Sequence, residues 1–220
     1  MKYKAYKTVQ GYLRKVRKHK RPYIYDVLGK SIIVCPNVMS PKYDRSATFN
    51  LKNMPNQSGM SFLEVGCGCG LVSLFAAFQG AKKIVSVDIN KEAVENTKLN
   101  LELYKFTNFE AFYSDVFKNV KEKFDTIYFA APFHGNKPKS KLEYGVSDSN
   151  YRALRRFIRG AKKHLKKDGQ VVLGFSNTGD VNLLESLIKE NNFSVKKKYH
   201  HCKKGWTAYL YVLKLENPNL

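Results

Sequence analysis

The chain has 220 residues, of which 43% are hydrophobic, and it carries a formal net charge of +21. This composition excludes a disordered chain, and the length favours one domain with a sizeable core. No apolar run approaches the ~20 residues that a membrane-spanning helix needs, because the longest, Leu71–Phe78, is short and contains Ser73. The N-terminus has no apolar segment behind its charges, which argues against a signal peptide, so we expect a cytoplasmic protein with no membrane partner.

Residues 1–50 are predicted to form a basic lead-in segment that packs on the core, and residues 51–220 the main domain. Residues 1–21 contain nine Lys or Arg and no acidic residue. Two further basic clusters are Arg155, Arg156, Arg159, Lys162, Lys163, Lys166 and Lys167, and Lys196, Lys197, Lys198, Lys203 and Lys204. Such charge attracts polyanions, so a nucleic-acid or ribosomal partner is expected. Because most of the basic residues are lysine, a surface that serves solubility alone is the alternative.

After the lead-in, short apolar runs alternate with stretches of helical periodicity. The predicted strands are residues 61–65, 83–89, 109–114, 124–129 and 170–175. The predicted helices are residues 71–79, 91–103, 150–165 and 181–191, and residues 166–169 are expected to give the third helix a basic last turn and a glycine stop. Residues 193–199 and 206–215 are predicted strands without a helix between them. The pattern predicts an α/β, Rossmann-like doubly wound fold with a mostly parallel seven-stranded sheet and a C-terminal antiparallel hairpin.

A glycine-rich loop follows the first of these strands. Gly66, Gly68 and Gly70 occupy every second position before a predicted helix. Glycine permits positive φ angles and close approach of a ligand, and a helix N-terminus supplies free N–H groups for a carboxylate or phosphate. The next strand ends in Asp88, ~20 residues on, where a carboxylate can bind both ribose hydroxyls. This order of elements predicts a nucleoside-binding site.

The spacing E-x-G-C-G-x-G from Glu64 to Gly70, followed by V-D-I-N, differs from the dinucleotide fingerprint G-x-G-x-x-G. It resembles class I S-adenosylmethionine-dependent methyltransferases, and the resemblance runs from about Tyr25 to about Leu215. A dehydrogenase or a cofactor-free fold is the alternative. The resemblance implies S-adenosyl-L-methionine as the cofactor. It implies that the methionine part is held by Glu64, Gly66, Cys67, Gly68 and Gly70. It further implies that Asp88 binds the ribose, Ile89 packs on the adenine and Asp115 meets the adenine amine.

The cysteines give no metal or disulfide pattern. Cys35, Cys67, Cys69 and Cys202 lack the spacing of a zinc site, and two of them lie too close together in the glycine loop to frame a disulfide. Cys67 and Cys69 are therefore interpreted as small residues that fill the loop rather than as nucleophiles or metal ligands. No metal site is predicted.

The segment DTIYFAAPFHG, residues 125–135, resembles the D-x-I-x-x-N-P-P-F/Y signature of methyltransferases that act on amide or exocyclic amino nitrogens. In that signature the asparagine accepts a hydrogen bond from the target amine and the aromatic residue stacks on it. Here Pro132 and Phe133 match, but Ala130 stands where asparagine belongs. Phe133 is expected to contact the acceptor and His134 to act as a base. Tyr128, Asp148 and Tyr151 are weaker candidates for the base. The segment VCPNVMSPKYDRS, residues 34–46, also resembles the approach segment of such enzymes.

The missing asparagine leaves the acceptor open. Loss of a buried hydrogen bond to a substrate amine costs ~1–3 kcal/mol, so methyl transfer to oxygen or to another nitrogen gains ground. The first hypothesis is a methyltransferase acting on RNA or a translation-associated protein. The alternatives are a methyltransferase acting on a small-molecule metabolite and a catalytically inactive module that binds adenosylmethionine.

Overall fold

A seven-stranded mixed sheet forms the centre of the protein, seen in a computed structural model that describes residues 2–44 and 46–216, with side chains from residue 9 onward. The strands are β1 Tyr23–Val27, β2 Lys30–Val34, β3 Ser61–Val65, β4 Lys83–Asp88, β5 Phe109–Tyr113, β6 Phe124–Ala130, β7 Leu165–Ser176, β8 Phe193–Lys203 and β9 Trp206–Leu215. The helices are α1 Lys2–Arg17, α2 Ala47–Asn53, α3 Leu71–Phe78, α4 Lys91–Leu103, α5 Arg152–His164 and α6 Val181–Glu190, and two short 3₁₀ helices span Lys141–Gly145 and Ser149–Tyr151.

The strand order in the main sheet is β5-β4-β3-β6-β7-β9-β8. The first five strands in this order pair in parallel, while β9 pairs antiparallel with both β7 and β8. The predicted fold class, including the C-terminal hairpin, is confirmed. Strand order reverses around β3, which lies between β4 and β6, and open α/β sheets bind ligands at the carboxyl ends of the strands at such a point.

The two faces of the sheet bury different residues because side chains alternate along a strand. Leu63 and Ile127 belong to the apolar cluster that α5 and α6 cover. Phe62 and Tyr128, their neighbours in sequence, belong to the cluster on the opposite face, which α3 and α4 cover. Burial on both faces explains why apolar residues occupy consecutive positions in these strands, Phe62–Leu63 in β3 and Ile127–Phe129 in β6.

Three structural features that the sequence analysis did not predict begin in the lead-in segment: α1, the β1–β2 hairpin and α2, which continues to Asn53. The hairpin is attached to α4, whose Asn96 and Asn100 side chains bond to backbone atoms of Ile33 and Cys35 at 2.7–2.9 Å. Helix α1 packs its buried Leu13 against residues near the first 3₁₀ helix. The segment therefore packs along the sheet and its helices.

The end of α5 differs from the prediction. The helix stops at His164, and residues 166–169, predicted as its basic last turn and glycine stop, lie within β7. The register of β7 against β6 shifts here, between Phe124 and Thr126, and Asp168 has a φ of 64°. Lys166 pairs with Asp125 at 2.9 Å across this irregularity. The bulge accommodates the residues that the sequence pattern assigned to a helix terminus.

None of the helices within residues 2–44 and 46–216 has the length and apolar character needed to cross a membrane.

Candidate active site

A cleft of about 450 Å³ lies at the carboxyl ends of β3, β4, β5 and β6. Its floor is formed by the glycine loop, by the residues that follow β4 and β5, and by the end of β6. Its cover comes from the lead-in segment and from residues 137–149. This volume is within the range of ordinary small-molecule sites, ~300–1,000 Å³.

The glycine loop passes over the end of β4. The backbone N–H groups of Gly66 and Cys67 both donate to the Val87 carbonyl, at 2.7 and 3.1 Å. Gly68 has a φ of 55°, and a Cβ placed there would meet no heavy atom within 4 Å. Because Gly68 lines the cleft, its missing side chain leaves the space open for a ligand to reach the backbone.

Gly70 packs closely against α4. It is absent from the described residues that line the cleft, and a Cβ there would lie 2.9 Å from Thr97 Cα and 2.8 Å from Thr97 Cγ2. Its φ of 77° places it at the N-cap of α3. Gly70 therefore allows α3 and α4 to approach closely, and its contact with the methionine part of the cofactor stays a prediction.

Glu64 lies beneath the loop, only 3% exposed. Its carboxyl group accepts hydrogen bonds from the N–H and the hydroxyl of Ser73 in the first turn of α3. Burial raises the pKa of Glu64 to about 8. The group is therefore mostly protonated at neutral pH, and it ties the end of β3 to the start of α3 while also lining the cleft.

Asp88 joins the glycine loop to the next strand. One carboxylate oxygen accepts from the N–H of Gly68 at 3.0 Å, and the other accepts from the N–H of Asn90 at 2.8 Å. Burial raises the pKa of Asp88 above its ordinary value. Ile89 lines the same wall. The carboxylate is thus held at the cleft, where its remaining lone pairs can accept from hydroxyl groups.

Asp115 lies at the far end of this wall, after β5. Arg156 of α5 binds it with two parallel hydrogen bonds of 2.6 and 2.7 Å, and both residues line the cleft. The arginine fixes the orientation of the carboxylate. The resemblance had assigned Asp115 to the adenine amine, and this partner was not foreseen from the sequence.

Cys67 and Cys69 are both 4% exposed. Burial raises the pKa of the Cys67 thiol well above its usual range and that of Cys69 to about 12. Both thiols are therefore protonated at neutral pH, as expected for residues that fill the loop. Cys67 also lines the cleft.

Phe133 and His134 are not among the residues that line the cleft. Phe133 packs against the α1 cluster of Leu13 and Leu142. The backbone of His134 accepts from Asp148 N–H at 2.7 Å and donates to the Val146 carbonyl at 3.1 Å, which fixes the direction of the chain after Pro132. Phe133 is half-buried and His134 is buried, and burial lowers the pKa of His134. That these two side chains meet the acceptor stays a prediction.

The weaker candidates for a base are also engaged elsewhere. Both carboxylate oxygens of Asp148 accept from N–H groups in the first turn of α5, at 3.0 Å. The Tyr151 hydroxyl donates to the Phe133 carbonyl and accepts from the Asp180 N–H. The Tyr128 hydroxyl is bonded to Asn50, and burial strongly raises its pKa.

The sequence analysis missed the residues that the lead-in segment brings to the cleft. Tyr12 of α1, Asp44 and Asn50 of α2 all line it. The only signal for them was the approach segment at residues 34–46, which ends just before α2. No pattern within α2 marked Asn50, because seven residues are too few to show which face of a helix is directed at the core.

Comparison with known proteins decides the family. The methyltransferase small domain model matches residues 31–201. The chain belongs to this family. It is an S-adenosylmethionine-dependent methyltransferase, as the sequence predicted. The cleft fits that cofactor, because it offers an open glycine backbone next to the half-buried Asp88 carboxylate.

Several curated relatives are methyltransferases by name. A candidate protein N5-glutamine methyltransferase of Methanocaldococcus jannaschii is 35% identical over 74% of this chain and 85% of the relative. A tRNA (guanine(10)-N2)-dimethyltransferase of Methanothermobacter thermautotrophicus is 30% identical, covering 86% of this chain and 49% of the relative. A ribosomal RNA small subunit methyltransferase C of Psychromonas ingrahamii is 27% identical, covering 69% and 41%. This methyltransferase therefore spans half or less of the two RNA-modifying relatives.

Solved structures share the fold. A T. thermophilus 16S rRNA methyltransferase, solved with AdoMet and guanosine, superposes with a TM-score of 0.65 at 20% identity, covering 87% of this chain and 50% of that one. A methyltransferase from Pyrococcus furiosus superposes with a TM-score of 0.63 at 22% identity, covering 96% and 98%. The chain therefore shares its fold with solved methyltransferases.

Proposed function

We propose that this methyltransferase modifies an exocyclic amino nitrogen of an RNA base, in an RNA of the translation machinery. The observation that carries the proposal is a line of basic residues on α5 that begins in the cleft and leads out of it. A cleft whose mouth continues into a basic surface suits a polyanionic substrate that is larger than the cleft.

The line consists of Arg152, Arg156, Arg159 and Lys163, which we call the α5 basic stripe. Their spacing of four, three and four residues places them on one face of the helix. The first two line the cleft, and the last two are exposed beyond it. Lys137 and Lys141 line the cleft from the opposite cover. Successive phosphates of one RNA strand could therefore contact Arg152, Arg159 and Lys163 while a base enters the cleft and Arg156 holds Asp115.

The relatives support nitrogen as the accepting atom. The names of two of them specify the guanine N2 amine and the glutamine N5 amide, which are both planar NH₂ groups. Such a group needs a hydrogen-bond acceptor on the protein to orient its N–H. It needs no base, because its nitrogen is methylated without prior loss of a proton. The side chains of Tyr128, Asp148 and Tyr151 are bonded to other protein groups rather than free to act as a base, which agrees with this chemistry.

Bound S-adenosylmethionine supplies an electrophilic methyl group: the nitrogen lone pair forms the new N–C bond as the C–S bond breaks, and the sulfur keeps that electron pair. The methylated nitrogen then carries a positive charge and releases its proton to water at the mouth of the cleft. The protein's part is to hold the two reactants in line. We assign the cofactor side to Gly66, Cys67, Gly68, Asp88 and Ile89, with Asp115 at the adenine end.

A second candidate is the side-chain amide of a protein glutamine. It is favoured by the 35% identical relative, of which this chain covers 85%. The same cleft chemistry applies, since an amide also presents an NH₂ group. The α5 basic stripe would then contact an acidic protein surface or a ribosome rather than an RNA strand.

The stripe gives a direct test of the RNA proposal. We expect the double variant Arg159→Gln/Lys163→Gln to bind total cellular RNA about tenfold more weakly at low salt and to lower the slope of log K against log salt by about 2, because two phosphate contacts are lost. Lys189→Gln, an exposed lysine of α6 outside the stripe, serves as the charge control. Adenosylmethionine affinity should not change in either variant. Equal RNA affinity for the stripe variant and the control would contradict the proposal.

A further inference from the structure

Asn50 is a buried polar residue that lines the cleft. It belongs to α2 and is 3% exposed. Its side-chain oxygen Oδ1 has no hydrogen-bond partner among the residues that the structure describes. Two other buried side-chain atoms share this property, Gln57 Oε1 and His134 Nε2, but neither residue lines the cleft. Asn50 therefore presents an unused acceptor where a substrate can enter.

The amide of Asn50 lies over the end of β6. Ala130 pairs with Gly174 of β7, and a Cβ built on Gly174 would lie 3.0 Å from Asn50 Nδ2 and 3.5 Å from Ala130 Cα. The amide and Ala130 are thus both within 4 Å of a single point. Residue 174 has no side chain to separate them, and Ala130 has only a methyl group.

The position of the amide is fixed by its surroundings. Nδ2 donates to the hydroxyl of Tyr128 at 3.0 Å. Tyr128 precedes Ala130 by two residues in β6, so both project to the same face of the sheet. The adjacent Leu51 is buried in the cluster on that face. With Nδ2 directed at Tyr128, Oδ1 is the atom of the amide that remains for a ligand.

We propose that Asn50 Oδ1 accepts a hydrogen bond from the exocyclic amino group of the target base. A buried amide oxygen without a partner is unfavourable, and an N–H donor from the substrate would satisfy it. The contact replaces the one that Ala130 cannot make, and it is delivered from a helix of the lead-in segment instead of from β6. Holding one N–H fixes the plane of the amino group, so that its lone pair points at the transferred methyl group. The inference rests on the proposed function, because it takes an amino nitrogen as the acceptor.

Methyl transfer to RNA tests this role first. The substrates are tritiated adenosylmethionine and total RNA that lacks the modification, from cells without this methyltransferase. Asn50→Ala should lower kcat/KM about 10- to 100-fold and leave adenosylmethionine affinity unchanged. Asn53→Ala removes another asparagine from the same helix, one that bonds to the Phe49 carbonyl outside the cleft, and should retain activity. The double variant Asn50→Ala/Ala130→Asn should recover at least part of the lost rate. A rate for Asn50→Ala equal to that of Asn53→Ala would overturn the inference.

A binding measurement tests the contact without turnover. With S-adenosylhomocysteine present, guanosine should bind more tightly than inosine, or adenosine more tightly than purine riboside, because only the first of each pair carries the amino group. Asn50→Ala should abolish the difference. Gly174→Ala, whose Cβ would press on Nδ2, should reduce it even if Asn50→Ala fails to fold. Equal affinities within both pairs for the unaltered protein would overturn the inference. Failure to label RNA would instead contradict the proposed function.

Discussion

Asp88 performs two tasks with one carboxylate. It accepts from the backbone of the glycine loop and from the backbone that begins α4, and it faces the cleft. A substitution at this position therefore acts on the ligand and on the loop together. The two effects can be separated by comparing asparagine, which keeps one acceptor oxygen, with alanine, which keeps none.

We expect Asp88→Asn to weaken adenosylmethionine binding about tenfold and Asp88→Ala to weaken it further, because hydrogen bonds to a charged acceptor contribute about 1.5–3 kcal/mol. Isothermal titration with adenosylmethionine measures this, and Glu190→Gln, an exposed acid at the end of α6, is the control. The far-ultraviolet circular dichroism spectrum should remain that of a folded protein. Unchanged affinity in both variants would remove Asp88 from the cofactor site.

Glu64 predicts a pH dependence of stability. Burial raises its pKa from 4.5 to about 8, so the folded state holds a proton that the unfolded state releases between these values. Stability from this group is complete below pH 4.5 and is lost as the pH rises through 8, with a slope of at most about 1.4 kcal/mol per pH unit.

Glu64→Gln should remove this component, because glutamine is neutral at every pH and its amide oxygen can still accept from Ser73. We expect the free energy of unfolding, measured in urea between pH 5 and pH 8, to fall more steeply for the unaltered protein than for Glu64→Gln. Parallel pH profiles for the two proteins would show that Glu64 is ionised in the fold.

Two glycines of the glycine loop, Gly68 and Gly70, have different structural roles. Gly68 opens the backbone to the cleft, whereas Gly70 lets α3 and α4 pack closely. The two residues have similar positive φ angles, 55° and 77°, so an alanine at either one carries a comparable backbone cost. What differs is the object that the added methyl group would meet.

We expect Gly70→Ala to lower the free energy of unfolding by roughly 2–4 kcal/mol, since its Cβ would overlap Thr97 of α4 and its φ would be strained. Gly68→Ala should lower it by only about 1–2 kcal/mol but should weaken adenosylmethionine binding, because its Cβ projects into the cleft. Thermal unfolding and cofactor titration on both variants give the comparison. The reverse order of stabilities would show that the loop is placed wrongly.

The fold was predictable because each of its signals is local. Apolar runs of five to seven residues marked β3 to β6, and the helical period marked α3 to α6. The boundary between α5 and β7 was not predictable, because the bulge at residues 166–169 depends on the pairing of β7 with β6. Lysine, aspartate and glycine in sequence resemble a helix terminus whichever element follows.

The order of glycines and acids predicted that the glycine loop and the residues after β4 and β5 lie together, and all three line the cleft. The contacts around His134 and Asn50 could not be predicted in this way. The backbone of His134 pairs with residues 146–148, a contact that no sequence period encodes. Asn50 lies close to Ala130 only because α2 packs on the sheet, since the two residues are 80 positions apart in the sequence. Both contacts depend on long-range packing, which a local motif does not encode.

The central claim is methyl transfer to an RNA amino group. In the most direct measurement, the protein is incubated with tritiated adenosylmethionine and a whole extract of cells that lack this methyltransferase. RNA, protein and small molecules are then separated, and the RNA is digested to nucleosides. We predict label in the RNA fraction, in one nucleoside methylated at its exocyclic amine, and loss of that label as salt rises. Label confined to protein or to small molecules, or label on a ribose oxygen, would contradict the account.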